Sequence, residues 1–263
     1  MIDQILCGDC NELIPTISEN SIQLVVTSPP YAQQRSNQYN SIPTSEYADW
    51  TVNWLEKCKK ILTPDGSVAI VMRPHIHRGE ISDYVLKTRL AIRNAGWREC
   101  EELVWIKPDS PPLGSLQRPR RAWESILWYS LSWNPFCDPK ANGRISDRVG
   151  FVSKKGVGDY KHGVNQPKVG IARCPDYIAV GTSRVDKSKK NTHPAQFPEE
   201  LAAWIIRLLS SEGATILDPF LGSGTTAVAA DHNSRHFVGI DLSPDYCDYA
   251  RNRLMQVQPS SFP

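Results

Sequence analysis

The stretch ILDPFLGSGTTAVAA, Ile216 to Ala230, decides the fold. An apolar run reads as a strand, a turn with two glycines follows, and TTAVAADH continues as a helix. Gly222, Gly224 and Ala227 satisfy the spacing G-x-G-x-x-A. Asp241 ends the next apolar run, RHFVGID, nineteen residues after Gly222. That is a dinucleotide-fold fingerprint in its strand–turn–helix context. No Gly-Lys-Ser/Thr is present, which excludes a Walker A phosphate loop.

Working outward, SPDYCDYARNRL opens with an N-cap serine, Ser243, and a proline at the next position. Upstream, Pro198 suits a first helical position, with Glu199 and Glu200 in the first turn. Leu201, Trp204, Ile205, Leu208 and Leu209 form one apolar stripe, and Gly213 is the expected stop. The first hundred residues alternate in the same way. SIQLVV and SVAIVM read as buried strands, and TPDG between them as a turn. Apolar residues recur at helical spacing from Ser45 to Leu62, a second helix is expected over Ile81 to Ala95, and ECEELVWIK is a strand candidate. These alternations predict an α/β fold: a three-layer, Rossmann-like sandwich around a mainly parallel sheet.

The 263 residues amount to about one large domain or two small ones, with no apolar run near ~18 residues and no signal peptide at MIDQILCGDC. A soluble cytoplasmic protein without membrane contact is expected. Of the seven cysteines only Cys7 and Cys10 form a C-x-x-C, and no second Cys/His pair follows, so neither a metal nor a disulfide is expected. His75 and His77 lack metal partners and read as surface residues; Cys174 and Cys247 read as structural. The net charge of +2 hides an asymmetry. Lys107 to Lys190 holds 16 Lys/Arg against 7 Asp/Glu, and the remainder 14 against 21. From Pro108 to about Asp186, Pro, Gly, Lys and Arg are frequent and periodicity weakens, with WESILWYSLS the one clear strand. A basic, loop-rich insertion in an acidic body fits a polyanion partner.

Asp218, directly before the glycine turn, would repel a pyrophosphate on the helix N-terminus. It suits a ligand carrying a cation there. S-adenosylmethionine has an ammonium and a sulfonium near that point, and a ribose for Asp241, so the charge favours the methyl donor over NAD. A second signal is LVVTSPPYAQQR, Leu24 to Arg35. Pro29 and Pro30 fix two φ angles at a strand tip, and Pro29 pushes Ser28 towards an extended conformation. Ser28 Oγ and the Pro29 carbonyl can accept hydrogens from an exocyclic base amine, while Tyr31 can stack on the base. A base in duplex must first be flipped out.

In order, GDCNELI, TSPPY, DGSVAIV, RRAWESILWYS, THPAQFPEEL, LDPFLGSGTT and GIDLSPDYC resemble the motifs of prokaryotic and phage type II DNA amino-methyltransferases of the β arrangement. In that family the catalytic motif precedes the cofactor motif. The resemblance implies S-adenosyl-L-methionine as cofactor and double-stranded DNA as substrate. It implies a catalytic motif of Ser28, Pro29, Pro30 and Tyr31. The donor site would comprise Asp9, His193, Pro194, Asp218, Pro219, Phe220, Gly222, Ser223, Gly224, Thr225 and Asp241. Residues 1–107 and 187–263 would form the catalytic and cofactor-binding domain, and 108–186 the target-recognition insertion. Serine at position 28 is the usual residue of the cytosine-N4 enzymes, adenine-N6 methylation being the alternative. Cytosine-C5 methylation needs a thiolate, and no Pro-Cys dipeptide occurs.

DNA contacts are expected from Arg118, Arg120, Arg121, Lys154, Lys155 and Lys161. Trp123 reads either as core or as a ring that stacks on a base. A methyltransferase acting on RNA or protein, an inactive DNA-binding protein and an NAD oxidoreductase each leave part of the ordered set unexplained. A companion restriction endonuclease would be a functional partner, and the family includes monomers and dimers.

Overall fold

A computed structural model describes residues 2–32, 42–110, 117–149, 168–182 and 197–256. Its strands are β1 (Gln4–Cys7), β2 (Ile22–Thr27), β3 (Leu62–Met72), β4 (Ile76–His77), β5 (Glu80–Ile81), β6 (Arg98–Ile106), β7 (Trp123–Ser130), β8 (Ile145–Val149), β9 (Lys168–Ile171), β10 (Tyr177–Ala179), β11 (Thr215–Asp218) and β12 (His236–Asp241). The helices are α1 (Cys10–Leu13), α2 (Tyr47–Ile61), α3 (Tyr84–Asn94), α4 (Glu199–Leu209), α5 (Thr225–His232) and α6 (Pro244–Gln256). Eight strands make one sheet in the order β1-β12-β11-β2-β3-β7-β6-β10. Neighbours are parallel except where β7 lies antiparallel between β3 and β6. The mainly parallel α/β sandwich expected from the sequence is the observed fold. Strands β7 and β10, from within the basic segment, are part of the sheet.

The period-two alternation of strand side chains builds the three layers. Leu24, Val26, Ala69, Val71, Ile126 and Ile216 face one core, packed with residues of α4, α5 and α6. Their neighbours Val25, Val68, Ile70, Leu127 and Leu217 face the other, packed against α2 and α3. Both faces are covered, so the parallel strands read as unbroken apolar runs rather than as alternating ones.

Boundaries shift where local chemistry outweighs pattern. Pro198 is the N-cap of α4, in an extended conformation, and not its first residue. The helix stops at Leu209, short of Gly213, because Ser210 turns extended while its hydroxyl donates to the Ile206 carbonyl at 2.6 Å. TPDG is an excursion within β3: Ile22 pairs with Leu62 and Leu24 with Ser67. His75 is half-buried, its ring stacked on Tyr84 at 5.5 Å, and is not the surface residue expected; the side chain of His77 lies outside the described residues. Burial, then the Asp9 charge, pushes the Cys10 thiol up to about 12. Among the described residues no helix is long and apolar enough to cross a membrane.

Candidate active site

Four parallel strands bring the two sequence signals together. Cys7 pairs with Asp241, Asp218 with Gly239, and Leu217 with Val25. Asp9, Asp241, the glycine turn and TSPPY therefore emerge side by side at the carboxyl edge of the sheet, where open α/β sheets bind ligands.

The glycine turn is held from both sides. Leu221 N donates to the Ile240 carbonyl at 2.8 Å, and Gly222 N donates to Asp241 Oδ2 at 2.8 Å. Ser243 N donates to the other Asp241 oxygen at 2.9 Å, so this carboxylate fastens the turn and the start of α6 at once. Burial raises the Asp241 pKa and the two N–H groups oppose the rise. Gly224 has φ +83°, and a Cβ there would come within 2.8 Å of Ala250 Cβ, so α5 packs on α6 only without a side chain. Ser223 Oγ lies 3.3 Å from Thr225 Oγ1, which also accepts from Arg253 at 3.1 Å. The Phe220 ring lies 5.3 Å from Trp50 and 5.5 Å from Trp54, both on α2. Asp9 is exposed and caps α1, accepting from Asn11 N at 2.8 Å.

Asp218 joins the glycine turn to the start of SPPY. It is 2% exposed. Thr27 Oγ1 donates to Oδ1 at 2.7 Å, Thr226 Oγ1 to Oδ2 at 2.6 Å, and Phe220 N to Oδ1 at 3.0 Å. Burial outweighs these donors and pushes the carboxyl up to about 6. Thr27 is the last residue of β2, so the same carboxylate fixes where SPPY begins. Pro29 and Pro219 are buried; Ser28, Pro30 and Tyr31 are half-buried. Tyr31 OH donates to Glu124 Oε2 at 2.7 Å.

Residues 22–252 match the N6/N4 DNA methylase family. The chain belongs to that family. Among curated relatives of this methylase, M.PvuII of Proteus hauseri is 26% identical over 272 residues, covering 91% of this chain and 80% of that protein. M.BglII of Bacillus subtilis is 27% identical over 253 residues, covering 95% and 68%. Both are type II methyltransferases. The cytosine-N4-specific PvuII DNA methyltransferase shares the fold at a TM-score of 0.75, with 24% identity over all of this chain and 89% of that one. M1.HpyAVI in complex with SAM does so at 0.64, with 20% identity over 95% and 98%.

In this methylase the arginines read as DNA contacts are already engaged. Arg118 donates to the Gly79 carbonyl, Arg120 to Pro108 and Ser110 at 3.2 and 2.9 Å, and Arg121 to Pro74 at 2.6 Å. Arg118 and Arg120 are exposed and Arg121 half-buried. Trp123 is 54% exposed, which removes the core reading and leaves the ring free to stack. His193, Pro194, Lys154, Lys155 and Lys161 lie outside the described residues.

The sequence reading missed Thr27, Thr226 and Glu124. The hydroxyls resemble ordinary β-branched residues until Asp218 is seen between them. Glu124 did carry a signal: it is an acid inside the apolar strand WESILWYS.

Proposed function

We propose that this DNA methylase moves the methyl group of S-adenosylmethionine to N4 of a cytosine turned out of duplex DNA. The observation that carries the reading is the Thr27–Asp218–Thr226 link, which sets SPPY beside the glycine turn. The residues at the strand edge fit the donor. Gly222, at φ +55°, presents backbone without a side chain, Asp241 keeps lone pairs for ribose hydroxyls, and Asp218 supplies negative charge beneath the turn. When bound, the donor supplies a methyl group on a good leaving group, so neither a strong base nor a covalent nucleophile is required. The chain's part is alignment. Ser28 Oγ and the Pro29 carbonyl accept the amine hydrogens, which favours a pyramidal nitrogen with a free lone pair, and the two prolines hold these acceptors at low entropic cost. Tyr31 stacks on the base. The basic segment 108–186 reads the target, and modification within a restriction system is the setting.

The test is to incubate mixed-sequence duplex DNA with labelled S-adenosylmethionine, digest it and resolve the nucleosides by mass spectrometry. Label in N4-methylcytosine is expected. Label in N6-methyladenine would keep the mechanism and change the base, and label in neither would overturn both.

A further inference from the structure

Beyond SPPY, the same sheet edge carries a buried charge cluster that the mechanism above does not use. Arg73 follows β3, Lys107 follows β6 and Glu124 is the second residue of β7, which runs antiparallel and so begins where its neighbours end. Glu124 and Lys107 are both buried. Lys107 Nζ bonds Glu124 Oε1, Arg73 Nη1 lies 3.9 Å from the same oxygen, and Tyr31 OH donates to Oε2 at 2.7 Å. The Lys107 ammonium also lies 4.1 Å from the centroid of the Trp105 ring. A buried carboxylate with two cations on one oxygen has its geometry fixed, and its other oxygen is left for the phenol.

That phenol belongs to the motif that meets the amine. Burial, then the Glu124 charge, raises the Tyr31 pKa well above that of a free phenol, so the hydroxyl keeps its proton and donates it to Glu124. Pro29 and Pro30 fix the backbone between Ser28 and Tyr31, so anchoring the phenol restrains the whole motif.

We propose that Glu124, braced by Lys107 and Arg73, is a positioning residue: by holding the Tyr31 hydroxyl it fixes that ring, and through the Pro29–Pro30 backbone the rest of SPPY, for the substrate base. This rests on the proposed function, since it requires SPPY to meet the base.

The experiment compares single-turnover methylation by the wild type, Tyr31→Phe, Glu124→Gln and the double variant. DNA and S-adenosylmethionine are saturating, and donor affinity is measured by calorimetry. Each single variant is expected to transfer about tenfold more slowly, the double no more slowly than the worse single, with donor affinity within about twofold of wild type. Rate losses that multiply in the double variant would overturn the proposal, as would a fall in donor affinity along with rate in Glu124→Gln. If Glu124→Gln does not fold, Tyr31→Phe decides alone: it removes one oxygen and strands no charge, and a wild-type rate would refute the chain of hydrogen bonds. Wild-type protein that methylates no DNA would overturn the function itself. Wild-type transfer with multiplying losses overturns only the role of Glu124.

Discussion

At Asp218, burial and hydrogen bonding pull one carboxyl in opposite directions. Three donors fix its oxygens, yet burial dominates and raises its pKa to about 6, from about 3.9 for a free aspartate. The folded chain therefore holds a proton that the unfolded chain releases between about pH 4 and pH 6. The stabilising contribution is complete below about pH 4 and is lost as the pH rises through 6, on the order of 2–3 kcal/mol. The Asp218→Asn variant lacks this dependence. Urea denaturation at pH 4.5 and pH 7 should show the stability gap between variant and wild type moving by that order in favour of the variant at pH 7. A gap equal at both pH values would mean the carboxyl titrates normally. Asp218 was legible as a candidate because of its place before the glycines; its partners Thr27 and Thr226 were not, since 191 residues separate Thr27 from it.

At the scale of elements, the turn between β11 and α5 was the most legible feature, because its glycines answer a local demand. Gly224 takes a left-handed φ and also lies against Ala250, two constraints that only glycine meets together. Gly224→Ala should cost about 1–3 kcal/mol from backbone strain, before any displacement of α6. A denaturation midpoint equal to wild type would show that α6 yields freely. The boundaries of α4 were less legible. Pro198 can begin a helix or precede one, and Ser210 ends α4 through a bond back to its own last turn that competes with the distant glycine signal. Strand β7 was visible as a strand, but not as the antiparallel member of a parallel sheet. Direction is set by partners, and its partners β3 and β6 lie on either side of it in space.

Across the whole molecule, charge is divided between an acidic body and a basic segment, and Arg118 and Arg120 stand exposed at the boundary. Both donate to backbone carbonyls, which fixes their position without cancelling their charge. Reversal of both to glutamate should weaken DNA binding and reduce the dependence of log affinity on log salt by about 1 for each phosphate no longer neutralised. An unchanged slope would take them off the phosphate backbone. Arg121 is a poorer target for that test, because it is half-buried and its bond to Pro74 helps hold the loop.

The sequence by itself determined the α/β class, the glycine turn, the rigid SPPY tip and the basic segment. Each follows from short-range rules of periodicity, φ preference and charge, which operate within a dozen residues. Only the tertiary structure decided that Thr27 and Thr226 share one carboxylate, that Trp123 faces solvent, and that Glu124, Lys107, Arg73 and Tyr31 meet at one sheet edge. Those interactions join residues far apart in the chain, and no local preference records them. They exist because the strands are laid side by side in an order, β11-β2-β3-β7-β6, that the chain does not follow.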